Sequence, residues 1–193
     1  IGFSNFDINS KLLFLYDDIK GEPTLTTLQN INPYLVEGQD VFLEKRKQPI
    51  CSVPSINRGS DATDEGHLLL DQNERYQLLK EHPEINDWIR PFLMGKEFLN
   101  NIPRFCLWLK DIKPEELKRY HHVYSRIEKV KKFRLSSKRK QTLKMADFPY
   151  LFGEDRQPDT NYLAIPKVSS ENRVYIPIGF CTSDIICGDK LFY

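Results

Sequence analysis

The apolar residues of this chain come in short bursts, and that limits what it can fold into. The strongest runs are Leu12-Leu13-Phe14-Leu15-Tyr16 and Phe105-Cys106-Leu107-Trp108-Leu109. Neither approaches the roughly 18 residues needed to span a bilayer. Apolar runs this short, bounded by charge and turn residues, read as strands. The spacing predicts strands over Lys11–Tyr16 and Arg104–Lys110, a shorter one at Val41-Phe42-Leu43, and a turn over Asp17–Pro23. Asn161–Val168 and Arg173–Phe180 read as a further pair around Ser169-Ser170-Glu171-Asn172. Pro166 and Pro177 cannot donate to a ladder, so that pair is expected at an edge or a bend.

Helices are expected between these runs. Asp71 and Glu74 stand at capping-box spacing, opening a helix to about Lys80 that buries Leu78 and Leu79. Pro83-Glu84 opens a second, short helix with Ile85, Trp88 and Ile89 on one face. Pro114 starts another. From about Val123 a longer helix carries Val123, Ile127 and Val130 at spacings of four and three, a narrow apolar stripe with the remaining face basic. Residues 52–67 hold Pro54, Asn57, Gly59 and Gly66 with little periodicity and read as a long loop of the functional or mobile kind. Short strands interleaved with separated helices give an α+β fold, mixed but mostly antiparallel.

A length of 193 residues suits one domain, or one plus a fragment of another. The start lacks the basic and apolar regions of a secretory signal, so a cytoplasmic location without membrane attachment is expected. Ile1-Gly2-Phe3 reads as the end of an apolar strand whose beginning is missing, and Lys190–Tyr193 as an apolar end. The chain is therefore read as a piece of a larger protein. Cys51, Cys106, Cys181 and Cys187 form no Cys-x-x-Cys pair, so no zinc site is expected and reduced, buried thiols are.

Charge is the feature that points to function. Between Lys118 and Lys144 eleven residues are Lys or Arg and one, Glu128, is acidic. The whole chain has 28 basic and 27 acidic residues, so the window carries +10 and the remainder −9. Positive charge concentrated in this way repels itself and fits a polyanionic partner. In Lys131–Lys140, the cations Lys131, Lys132, Arg134, Lys138, Arg139 and Lys140 are suited to phosphates. Ser137, beside Ser136, is suited to donating to phosphate oxygens. Base edges need side chains on loops, and the candidates are Asn57, Arg58, Arg156, Gln157, Ser169, Ser170, Glu171 and Arg173. The alternative is a protein-interaction module whose basic helix docks an acidic partner or a neighbouring domain.

Catalytic patterns are missing from the sequence: there is no Gly-rich phosphate loop, no nucleophile elbow and no HExxH. His121 and His122 are adjacent, so on a helix they diverge by about 100° and cannot share a metal. Asn32-Pro33-Tyr34 lacks the second Pro of an amino-methylating loop and reads as a structural turn.

Blocks along the chain resemble, in order, the target recognition domain of MmeI-like enzymes. These are large type II restriction-modification proteins and their methyltransferase-only relatives. The blocks begin at Asn30-Ile31-Asn32-Pro33-Tyr34-Leu35 and Gly66-His67-Leu68-Leu69-Leu70. They continue through Ile89-Arg90-Pro91-Phe92, Gly95-Lys96-Glu97-Phe98, Arg104–Leu109, Val130–Arg134 and Ser137-Lys138-Arg139. Leu151-Phe152-Gly153-Glu154, Arg156-Gln157-Pro158, Ile165–Glu171 and Tyr175–Phe180 follow. The resemblance implies that residues 1–29 are terminal strands of an upstream α/β methyltransferase domain and that 30–193 form the recognition domain. It implies double-stranded DNA and the upstream domain as partners. It also implies S-adenosyl-L-methionine in the parent protein and no cofactor or catalytic residue in this segment, with base reading shared with residues further along the parent.

Overall fold

The computed structural model describes Gly2, residues 4–46 and residues 48–193, and it divides into two compact units, Ile1–Val53 and Pro54–Tyr193. The division falls between residues 53 and 54, downstream of the 29/30 boundary expected from the sequence.

In the first unit, β1 (Lys11–Leu15) and β2 (Thr24–Leu28) form an antiparallel hairpin, with Lys11 opposite Leu28 and Leu15 opposite Thr24. Asn32 folds the chain back on itself: its Oδ1 accepts from the amides of Tyr34 (2.9 Å) and Val36 (3.3 Å). Asn32-Pro33-Tyr34 is thus a side-chain-capped turn. Val41-Phe42-Leu43, expected as a strand, forms no regular element. Ile1 and Phe3, on which the interrupted strand was read, lie outside the described residues.

The second unit holds two small sheets. Four strands run in the order β3 (Leu69–Leu70), β5 (Phe105–Leu107), β4 (Ile89–Leu93) and β8 (Ile186–Cys187). The β3–β5 and β4–β5 pairings are antiparallel, and β4–β8 is parallel. The second sheet runs β7 (Gly179–Cys181), β6 (Tyr162–Pro166), β9 (Leu191–Phe192), all antiparallel. Expected at an edge or a bend, β6 is central, and the chain bends at Lys167 just after Pro166. Pro166 stands at its last position and Pro177 before β7, so neither proline interrupts the interior of the ladder.

The helices follow local chemistry. α1 (Gln72–Glu81) is capped by Asp71, whose carboxylate accepts from the Glu74 amide at 2.8 Å while Glu74 accepts from the Asp71 amide at 2.8 Å. Two orphan amides are thereby satisfied reciprocally. Pro83–Trp88 forms a 3₁₀ turn that leads into β4. α2 (Gly95–Asn100), α3 (Pro114–Leu117), α4 (His121–Leu135) and α5 (Lys140–Met145) complete the set. One core joins Leu68, Leu78, Ile85 and Leu107 to Val123, Ile127 and Val130 of α4. Each such side chain contributes roughly 1.5–3 kcal/mol when fully buried. A second core lies under β6, around Tyr162, Ala164, Cys181 and Leu191. Cys106, Cys181 and Cys187 are buried and Cys51 is exposed.

Candidate nucleic-acid interface

The buried stripe of α4 is one residue longer than its apolar part. Val123, Ile127 and Val130 continue at the same spacing to Arg134, which is 1% exposed. Its Nε donates to the Thr63 carbonyl at 3.0 Å. Nη1 donates to Met145 (2.8 Å) and Phe148 (3.0 Å), and Nη2 to Ala62 (2.9 Å) and Leu151 (2.7 Å). All five N–H donors of the guanidinium are therefore held by backbone carbonyls. Burial lowers its pKa, with Asp64 and Asp61 acting the other way, and an arginine keeps its proton regardless. Arg134, expected among the phosphate contacts, has neither exposure nor a donor left for one. It ties the end of α4 to the loop at 62–63 and to the turn after α5.

Arg126 is also turned inward. Nη1 donates to the carbonyls of His67 (3.0 Å) and Leu69 (3.2 Å), and Nη2 pairs with Glu74. Burial opposes the charge on Glu74, but the Asp71 amide and Arg126 outweigh it and hold its pKa down.

The other nine cations of the window are exposed: Lys118, Arg119, Lys129, Lys131, Lys132, Lys138, Arg139, Lys140 and Lys144. Among the described residues none of them forms an ion pair. On α4, Lys129 and Lys132 stand three apart and share the outer face, away from the buried stripe. After α4 the chain turns through Ser136, whose hydroxyl donates to the Phe133 carbonyl at 2.7 Å, and Ser137, whose Oγ accepts from the Arg139 amide at 3.1 Å. α5 then presents Lys140 and Lys144. The expected phosphate contacts other than Arg134 thus fall on one helix–turn–helix segment. Its far end is pinned by Arg134 through Met145 and Phe148.

The base-reading candidates separate into two groups. Ser169, Ser170, Glu171 and Arg173 are exposed on the long connection between β6 and β7, in a turn closed by Arg173 N to Ser170 O at 3.1 Å. Arg58 and Arg156 meet elsewhere: Nη2 of each lies on the same oxygen, Oε2 of Glu154, at 2.6 and 2.7 Å. Gln157 is committed internally. Its Nε2 donates to Ser183 O (3.0 Å) and Ile185 O (2.7 Å), and its Oε1 accepts from Cys187 N (2.9 Å). The side chain of Asn57 is exposed, while its backbone pairs with Tyr193.

Residues 57–64, expected inside a long loop of the functional or mobile kind, form no helix or named strand and are held along their length by backbone bonds. Asn57 pairs with Tyr193, Gly59 N donates to Leu191 O at 3.1 Å, and Ser60 N donates to Cys187 O at 2.7 Å. Asp61 and Glu154 exchange backbone bonds at 3.0 Å each way. Ala62 and Thr63 present their carbonyls to Arg134. Asp61 Oδ1 accepts from both the amide and the hydroxyl of Thr63. This fixes Thr63 at φ 46°, a left-handed conformation that costs a β-branched residue about 1–3 kcal/mol.

Comparison with known proteins is consistent with this geometry. The family model described as MmeI, target recognition domain, matches residues 37–193. The chain is 34% identical over 194 residues to DNA methyltransferase A of Bacillus subtilis (strain 168), covering 100% of this chain and 21% of that protein. Among solved structures it is similar to the type IIL restriction-modification enzyme MmeI in complex with DNA. The TM-score is 0.90 at 41% identity, over 97% of this chain and 25% of that one. The chain thus spans a fifth to a quarter of the proteins it matches.

Proposed function

The chain belongs to the MmeI target recognition domain family, and we propose that it is the DNA sequence recognition module of a restriction-modification methyltransferase. It binds duplex DNA and presents it to an upstream domain, which flips an adenine out of the stack and methylates its N6 with S-adenosyl-L-methionine. That domain and cofactor belong to the parent protein, which works in the cytoplasm where its DNA is. The observation that carries the reading is the row of exposed cations on α4, the turn and α5, without ion pairs among the described residues, within a family of DNA-recognition modules. Lys131, Lys132, Ser137, Lys138, Arg139 and Lys140 contact phosphates. Ser169, Ser170, Glu171 and Arg173, on an exposed turn free of ion pairs among the described residues, reach toward base edges.

Salt dependence of DNA binding by the parent protein tests this. Each phosphate contact contributes roughly 0.9 to the slope of log affinity against log salt. Replacing Lys138, Arg139 and Lys140 together by Ala is expected to flatten that slope by about three units while leaving the preferred sequence unchanged. A slope that stays where it was refutes the phosphate assignment. Absence of duplex binding by the parent refutes the reading as a whole and favours an acidic protein partner for the same edge.

A further inference from the structure

The sequence offers Arg58 and Arg156 as base readers, and their surroundings suit a different ligand. They share one oxygen of Glu154, and Glu154 sits on a rigid frame through its paired backbone with Asp61. Arg58 is itself bridged to Phe192, and the Arg156 amide donates to Ser60 Oγ at 2.9 Å. Lys167 stands over the Phe192 ring at 5.1 Å, and its backbone amide donates to the carbonyl of Lys190 at 3.0 Å. Four cations therefore gather here, Arg58 in a β-bridge and Arg156, Lys167 and Lys190 on loop and turn backbone held by hydrogen bonds. Among the described residues their ion-pair partners are two acids, Glu154 on the arginines and Asp189, which pairs with Lys190 at 3.1 Å. One carboxylate oxygen cannot neutralise two guanidinium groups. Nε of Arg58 is buried without a hydrogen-bond partner among the described residues. Burial lowers the pKa of Lys167; Asp189 opposes this, and Arg58, Lys190 and Arg156 act in the same direction as burial.

The Arg58 side chain is 35% exposed and that of Arg156, an exposed residue, 43%, and both guanidinium groups are held on Glu154. A net positive site on rigid backbone, with planar guanidinium forks, suits a tetrahedral oxyanion that is brought to it. We propose that Arg58, Arg156 and Lys167 form a second phosphate-binding site of the domain, taking a DNA backbone phosphate, with Glu154 holding the arginines in place until DNA arrives. The site is built from residues outside the α4–α5 edge, and with it the domain would hold the duplex backbone through two sets of side chains. This rests on the DNA-binding reading above.

The test uses the parent protein, salt titrations on one duplex, and selection from duplex oligonucleotides with a randomised centre. Arg156→Ala and Lys167→Ala should each flatten the log–log salt slope by about one unit and leave the selected sequence unchanged. Glu154→Gln should move the other way: removing the competing carboxylate should tighten binding by roughly fivefold at low salt, and less as salt rises. A changed preference at one base pair in Arg156→Ala overturns the proposal in favour of base reading. Weaker binding by Glu154→Gln, or unchanged slopes in both cation variants, also overturns it. If only the Lys138/Arg139/Lys140 variant flattens the slope, this site falls and the proposed function stands. If the unaltered parent binds no duplex, both fall. Should Arg156→Ala fail to fold, Lys167→Ala and Glu154→Gln, with opposite expected signs, still decide.

Discussion

Replacing Arg134 by Met keeps most of the side chain's volume and removes a buried charge with five hydrogen bonds. The cost follows from which carbonyls have another donor. Ala62 O keeps the Gly153 amide, Met145 O the Phe148 amide, and Phe148 O the Leu151 amide. Thr63 O and Leu151 O keep no other donor among the described residues. A buried group left unsatisfied costs about 1–3 kcal/mol, so these two alone lose about 2–6 kcal/mol. The burial cost of the charge, which disappears with it, offsets part of this. A net destabilisation of about 3 kcal/mol is expected, a large share of the 5–15 kcal/mol typical of a domain. Arg134→Lys should recover only part, since an ammonium offers three donors from one point and cannot span three backbone segments. Urea unfolding of the 193-residue chain, followed by tryptophan fluorescence, reads this directly because Trp88 and Trp108 both belong to the unit Pro54–Tyr193. Hydrogen exchange should show lost protection at Gly153 and Leu151, whose amides bond into the same cluster. An Arg134→Met midpoint equal to that of the unaltered chain, or Arg134→Lys as stable as Arg, would refute the five-carbonyl account.

Two further outcomes follow from close packing and burial. In Gly59→Ala the new Cβ would lie 2.2 Å from the Gly188 carbonyl oxygen and 2.6 Å from that of Cys187. The 57–61 strip must then pull away from 187–193, lowering stability by about 1–3 kcal/mol, and an unchanged urea midpoint would contradict that crossing. Burial pushes the Cys187 thiol up to about 12 and raises that of Cys106, so neither forms appreciable thiolate near pH 8. Iodoacetamide on the native chain should label Cys51 first, with the buried thiols reacting only on unfolding, as peptide mass mapping would show; labelling of Cys106 at the rate of Cys51 would count against the buried core.

What could be read from sequence was what local chemistry decides. The capping box at Asp71 and Glu74 forms both of its bonds, and the stripe of Val123, Ile127 and Val130 is the face α4 buries. β3, β8 and β9 gave no signal because each is two residues long and exists only through long-range pairing, such as Phe92 with Ile186. The strand expected over Arg173–Phe180 contracts to Gly179–Cys181, because only its last residues find a partner on β6. α5 was missed because its six residues have no side-chain cap, and its end is secured by Arg134 from another element. For Arg134 a signal did exist. It stands four residues beyond Val130 on the apolar stripe, and composition drew it into the charge run instead. The meeting of Arg58 with Glu154 had no local trace, since 96 residues separate them.

The concentrated charge of the 118–144 window has two physical roles that a residue count merges. Arg126 and Arg134 are the cations that periodicity turns inward: Arg134 is held by five backbone carbonyls, and Arg126 by two carbonyls and the Glu74 carboxylate. They build the edge, and the nine exposed cations furnish it. Arg134 ends on Ala62 and Thr63, next to Asp61, which forms an isolated antiparallel bridge with Glu154. The backbone of residues 57–64 therefore connects the α4–α5 edge to the Arg58–Glu154–Arg156 cluster without passing through a mobile loop. A strained φ at Thr63 persists there because Asp61 and Arg134 both hold it, as expected where surrounding structure over-determines a costly conformation. Loosening that strip should disturb both clusters together, and loosening either cluster alone should not.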